Sequence, residues 1–297
     1  MSDKEQPDRH GRRRPRRPGP GAAESRRPRA RYARCVLVGA VAAALFAAAQ
    51  APAAAGTGPG SAAPPDPAPF GPQRPYEPDV EGPRAHDELA VSVTPDGGTP
   101  RGVRVAFDRT SVTEPAGPPP AARRFVFLFD DALRFRPQDF PTCDRRVVEE
   151  RGVAACPAGS VIGGGTGHLH EADPVEVVVL NAHHDHGLRG ALVVIPEIGS
   201  LLELTWEPVT RHYRELGYGW ALDEILPPSD VPPQERIGTV RFEIDFGATR
   251  RVAGRTVSFA EATGRPSAPL RFGQWSEFVT GQIGLTGATA GRGAAAG

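Results

Sequence analysis

Between Leu89 and Leu285 the chain is written in short apolar runs, each cut off by Gly, Pro or Asp. That texture constrains the fold most. A helix needs apolar residues three and four apart over ten or more positions, whereas a strand needs only alternation or a brief apolar block. Val240 to Phe246 places its apolar side chains on one face and its charges on the other. Leu89–Val93 and Val103–Phe107 alternate in the same way, and Pro95–Gly98 between them reads as a turn. Phe125–Phe129, Val175–Leu180 and Ala191–Ile195 are continuous apolar blocks, Leu201–Trp206 follows, and Trp275–Leu285 supplies a last strand or two. Only Arg145–Arg151 and Glu215–Ile225 read as helical. Eight to ten short strands without alternating helices predict an all-β fold, mainly an antiparallel β-sandwich with one or two short helices, over residues 86–287. Residues 288–297 are expected to be a flexible Gly/Ala tail.

The segments before residue 86 have a different character. Residues 1–34 hold Lys4 and 11 arginines against 4 acidic residues, interrupted by prolines, and form a basic disordered region. Such a tail can bind nucleic acid. Here, however, it precedes Val36–Ala49, fourteen residues without a charged or polar side chain, and then Ala53-Ala54-Ala55. That order is the grammar of an export signal, with residues 35–55 as its apolar region or as a signal-anchor. A secretory apolar region runs about 7–15 residues and a membrane span about 20. The expected partner of this segment is therefore a membrane and not nucleic acid, and the protein is expected to be secreted or held in the cell envelope. Ser25-Arg26-Arg27 lacks the apolar pair of a twin-arginine signal. Cys35 precedes the apolar run, where a lipid-anchor cysteine would follow it. Ten prolines between Pro52 and Pro83 make residues 56–85 an extended linker.

Lys4 is the one lysine in 297 residues. A P-loop needs a lysine after its glycines, and pyridoxal-phosphate or aldol chemistry needs a lysine amine, so the folded part supports neither. Apart from Cys35 the cysteines are Cys143 and Cys156, an even pair in a chain bound for an oxidising compartment. The intervening helix, which Thr142 or Asp144 can cap and Gly152 can end, lets the chain return, so the pair is expected to form a structural disulfide.

Phe140-Pro141-Thr142-Cys143, then Ala155-Cys156-Pro157-Ala158-Gly159-Ser160, then Ile162-Gly163 and further glycines, resemble a group of uncharacterised secreted actinobacterial proteins. Those proteins place FPxC before a short helix, then ACPxxSxxGxG, then a strand ending near an asparagine, here Asn181. The resemblance implies an exported β-rich domain and no particular activity. The group often has a further cysteine before a C-terminal Trp-containing strand. Trp275 is present here without one.

Three motifs invite chemistry. Asn181-Ala182-His183-His184-Asp185-His186 resembles the zinc motif of metallo-β-lactamase-like hydrolases with its first His replaced by Asn. A looser zinc site would combine His168 and His170, alternating onto one strand face, with His183, Asp185 and His186 across a hairpin turning at Glu171–Pro174. Glu243-Ile244-Asp245-Phe246 resembles the paired-glutamate strand of jelly-roll glycoside hydrolases, but Ala248 stands where the second carboxylate would be. Gly163–Gly167 has no lysine after it and reads as a bulged strand. The expectation is a non-enzymatic binding or structural domain without a cofactor and with no catalytic residue assigned. The alternative is a metal-dependent hydrolase using His168–His186.

Overall fold

The computed structural model describes residues 62–293 apart from 74, 185–186, 226–230, 237 and 265–267. The basic region, the apolar segment and the small-residue run at 53–55 lie outside the described residues, as do Asp185 and His186. Among the described residues no helix is long and apolar enough to cross a membrane.

The strands are β1 (Arg84–Pro95), β2 (Val103–Glu114), β3 (Ala122–Asp130), β4 (Leu133–Phe135), β5 (Val161–Leu169), β6 (Val175–His183), β7 (Arg189–Ile195) and β8 (Ser200–Pro208). They continue with β9 (Tyr218–Ile225), β10 (Thr239–Phe246), β11 (Thr249–Val252), β12 (Arg255–Ser258), β13 (Ala260–Ala262), β14 (Leu270–Phe278) and β15 (Ile283–Ala290). Two helices, α1 (Arg145–Arg151) and α2 (Arg211–Glu215), complete the set. Eleven strands form one sheet in the order β1-β2-β10-β5-β6-β7-β8-β9-β3-β14-β15. All its neighbouring pairs are antiparallel. The fold is therefore all-β and antiparallel, and one continuous sheet supplies both of its walls.

The sheet curls until its two walls meet. Phe107 of β2 packs edge-on against Phe127 and Phe129 of β3 and Phe272 of β14, with ring centroids 5.2, 5.4 and 5.7 Å apart. Edge-to-face rings add to the area they bury. The edge strands also approach: Val93 forms a parallel bridge with Arg292, and Gly293 N–H donates to the Val93 carbonyl at 2.9 Å. Joining the edges leaves fewer backbone groups open to pairing with another chain. This bridge also corrects the expected flexible tail over residues 288–293, since β15 runs to Ala290 and the chain stays attached to residue 293, while 294–297 lie outside the described residues.

The continuous apolar blocks have a common cause. On β3, Phe127 and Phe129 enter the interior cluster, while Val126 and Leu128 enter an outer one with Val209, Tyr213, Ala221 and Trp275. On β6 and β7, Val177, Val179 and Val193 face inward, while Leu180, Ala182, Leu192 and Val194 pack outward against Cys143 and Val148. Strands covered on both faces lose their alternation.

Helix α1 follows its expected grammar: the Asp144 side chain accepts from Arg146 N–H at 2.7 Å, and Gly152 ends it at φ 76°. The helix expected at Glu215–Ile225 is corrected. Only Arg211–Glu215 is helical, and Tyr218–Ile225 is a strand hydrogen-bonded between β8 and β3. Its local helix propensity yields to ladder bonds on both sides.

The linker expected at 56–85 is corrected over residues 64–71. The indole N–H of Trp275 donates to the Pro64 carbonyl at 3.2 Å, and the Tyr213 hydroxyl donates to the Pro65 carbonyl at 2.7 Å. Thr210 N–H donates to the Pro67 carbonyl at 3.0 Å, and Ala68 is fully buried. Prolines lack N–H groups but keep their carbonyls, so side-chain donors can hold such a strap flat on a sheet.

Asn181 explains the FPxC segment. Its Nδ2 amide group lies 2.9, 3.0 and 3.2 Å from the carbonyls of Pro137, Phe140 and Pro141, and its backbone carbonyl accepts from Cys143 N–H at 2.9 Å. Asn181→Ala leaves buried carbonyls unmet and should lower stability by about 2 kcal/mol. A urea melt checks this, and a change below about 0.5 kcal/mol would refute the anchoring role.

Candidate functional site

Three inward-facing rows carry a polar residue near the same end of the curled sheet. On β2 the inward series Val103, Val105, Phe107 continues into Arg109. On β9 Leu222 is followed on the same face by Glu224, and on β1 Val93, Val91 and Leu89 lead back to Asp87. Registers align them: Arg109 pairs with Leu89 and with Phe242, Phe242 with Gly167, and Gly167 with Val175. On the facing wall Phe125 pairs with Ser276.

The result is a cavity of about 450 Å³ at that mouth of the sheet. Phe125, Leu169, Val175, Ile195, Leu202 and Phe242 give it apolar walls, and its polar lining includes Arg109, Arg145, Glu149, Glu224 and Arg236. A mostly apolar hollow with a few convergent polar groups is the usual form of a small-molecule site.

Arg109 is 1% exposed. Its Nη1 donates to Asp87 at 3.1 Å and also to Ser111, while its Nη2 donates to the carbonyl of Thr239 at 3.3 Å and to the Thr239 hydroxyl. Asp87 accepts further from Ser111 at 2.5 Å and Ser276 at 2.6 Å. The guanidinium lies over the Phe125 ring, 4.8 Å from its centroid. The Arg109 Nε is buried and has no hydrogen-bond partner among the described residues. Burying an ion pair costs several kcal/mol per ion in lost hydration, and an apolar replacement is often no less stable.

The histidines do not converge on this cavity. In the β5–β6 hairpin, Gly167 faces Val175 and Val161 faces Leu180. His168 and His170 therefore stand at the turn end and His183 at the far end, roughly 26 Å from Val175 at 3.3 Å per residue. This corrects the expected meeting of His168 or His170 with His183. An antiparallel hairpin opposes the end of one strand to the start of the next. His168 Nε2 lies 3.0 Å from the Glu243 carboxylate. His184 is buried and its Nε2–H donates to the Leu204 carbonyl at 2.9 Å. Among the described residues no three His, Cys, Asp or Glu side chains are grouped as a metal would need.

Glu243 and Asp245 sit on β10 beside a hollow of about 460 Å³ over Ala90, Ala106, Gly164 and Gly165. Arg241 bridges Asp108 at 2.7 Å and Glu243 at 2.9 Å, and Arg104 pairs with Asp245. Burial raises the Asp245 carboxyl, and Arg104 opposes that rise. The glycines of β5 are spacers: a Cβ at Gly163 or Gly165 would strike the carbonyl oxygens of Asp245 and Glu243. Every carboxylate at this hollow already has an arginine, so it offers a ligand less than the cavity at the mouth does.

Compared with known proteins, the chain matches no family model, no curated protein and no solved structure.

Proposed function

We propose that this chain is an exported binding protein whose β-domain takes up a small amphipathic molecule at the mouth of its curled sheet. The carrying observation is the cavity itself, with apolar walls from Phe125, Leu169, Val175, Ile195, Leu202 and Phe242 and the buried Arg109 and Glu224 among its polar lining. Export is supported by the basic segment, the apolar run at 36–49 and the small residues after it. The likeness of the FPxC and ACPxxSxxGxG segments to secreted actinobacterial proteins supports the same compartment. A metal-dependent hydrolase has less support, because its ligands would have to come from both ends of one hairpin.

The test uses N-phenyl-1-naphthylamine, a neutral dye that brightens in apolar surroundings. Titration into the purified protein should give a saturable rise in fluorescence. Leu202→Trp fills the cavity and should weaken the dye at least about tenfold, the loss of about 1.4 kcal/mol of binding. Unsaturable binding, or an unchanged affinity in the variant, would overturn the proposal.

A further inference from the structure

We infer that the outer face of β8, β9, β3 and β14 is a receptor for a proline-rich segment, filled in this chain by its own residues 64–71 and open to the same segment of a second copy. The cavity plays no part in it. Residues 64–71 read Pro-Pro-Asp-Pro-Ala-Pro-Phe-Gly. Prolines carry no N–H and cannot join a sheet ladder, so their carbonyls are left to donors on whatever receives them. Four such carbonyls are met here by four donors of the domain. The Trp275 indole reaches Pro64, the Tyr213 hydroxyl Pro65, the Thr210 N–H Pro67, and the Arg124 guanidinium Ala68 at 2.9 Å. Aromatic side chains that donate to proline-rich backbone are a recurring mode of peptide recognition. Two contacts set a sequence preference. Asp66 lies 2.7 Å from Arg124, and Ala68 is fully buried, so a larger side chain there would have to displace its neighbours.

The receptor is built without the strap. Both oxygens of Asp223 hold Arg124 at 2.7 Å, Trp275 belongs to β14 between β3 and β15, and the Tyr213 ring on α2 lies 6.3 Å from that of Tyr218. Side chains fixed in advance spend little entropy on binding. None of residues 64–71 belongs to a strand, so the strap can leave without opening a ladder. The next attachments of the chain are separate ones: Glu77 pairs with Arg236 at 2.5 Å, and Val80 N–H donates to the Val279 carbonyl at 3.0 Å. An opening can therefore stop there. It uncovers Val209, Tyr213, Ala221 and Trp275, an apolar patch with unmet donors that favours being covered again. A second copy carries the identical segment and restores every bond in trans. The tether favours the chain's own strap by an effective concentration on the order of millimolar, so exchange between copies emerges as the protein approaches that concentration.

The experiment follows the anisotropy of a fluorescein-labelled peptide of residues 62–73. The protein carrying Asp66→Arg and Ala68→Arg, whose own strap cannot seat, should bind it saturably and at least about tenfold more tightly than the unmodified protein, whose tethered strap competes. A peptide with the same two substitutions should not bind, and near-ultraviolet circular dichroism reports the fold of the variant. In the unmodified protein, the Phe70 and Thr210 amides should exchange their hydrogens well before the amides of β3 and β14. Sedimentation of the unmodified protein at about 1 mM should show a dimer that the variant lacks. If those two amides exchange only with the sheet core, the strap is a fixed part of the fold and the receptor is refuted. A folded variant that ignores the peptide, or binds both peptides equally, refutes it as well. If the peptide binds the variant but the unmodified protein stays monomeric at that concentration, the assignment to a second copy is overturned.

Discussion

Replacing Arg124 with methionine should destabilise the domain by roughly 3–5 kcal/mol, the usual cost of stranding one member of a buried ion pair. The guanidinium holds Asp223 by two bonds of 2.7 Å, Asp66 of the proline strap at 2.7 Å, and the Ala68 carbonyl at 2.9 Å. It also lies over the Trp275 ring at 5.4 Å. Asp223 has a side chain only 2% exposed, so nothing else can solvate its charge. Losing Arg124 therefore leaves that carboxyl to bury its charge alone or take up a proton, and releases the strap in one step. For a domain of this size the melting temperature should fall by about 10 °C. A variant within 2 °C of the parent would show that the strap is not held in this way.

The same cluster gives the stability a pH dependence. Burial pushes the Asp223 carboxyl up to about 7 against the pull of Arg124, and burial also raises Glu207. An acid whose folded pKa lies above its unfolded value binds more protons when folded, so its contribution is full at low pH and is lost as pH rises through the folded value. Asp223 should therefore make the domain lose stability between about pH 4 and 7, a slope that Asp223→Asn should flatten. Glu207 accepts from the Thr205 hydroxyl at 2.7 Å and from Phe70 N–H at 3.2 Å, which ties the far end of the strap to the same sheet face.

Breaking the Cys143–Cys156 bond should cost about 3 kcal/mol, the loop-closure value for a ring of this size. The two Cα atoms are 5.3 Å apart and the bond closes α1 onto the outer face of β6 and β7. Cys143 is 1% exposed and belongs to that outer cluster, so a Cys143→Ser, Cys156→Ser double variant loses apolar contact as well as the cross-link. Intact-mass analysis of the purified protein should find neither of these two cysteines alkylated before reduction and both after it. Free alkylation without reductant would remove the disulfide and weaken the case for an oxidising compartment.

The strands were legible because their signals are local. Alternation in Val240–Phe246 and turn residues at Pro95–Gly98 announce elements that the structure contains. The capped helix Arg145–Arg151 was legible for the same reason. The cavity was missed although its signal was present: Arg109, Asp87 and Glu224 are the polar residues that follow the apolar positions of the same strand faces. In one strand such a residue looks like noise. It becomes a site only when registers place three of them at one mouth. The histidines were over-read for the converse reason, since closeness in sequence across a hairpin is not closeness in space.

Composition and periodicity thus determined an antiparallel β-domain, its capped helix, a cysteine pair in reach of each other, and the exclusion of lysine chemistry. The order of strands, the meeting of β1 with β15, the docking of the proline strap and the position of Arg109 beside a cavity were decided by the tertiary structure alone. The division is physical. Strand and cap preferences act over a few residues and are written in them. Which strand pairs with which depends on how eleven strands can bury both faces of β3, β6 and β7 at once, and that is a property of the whole sheet.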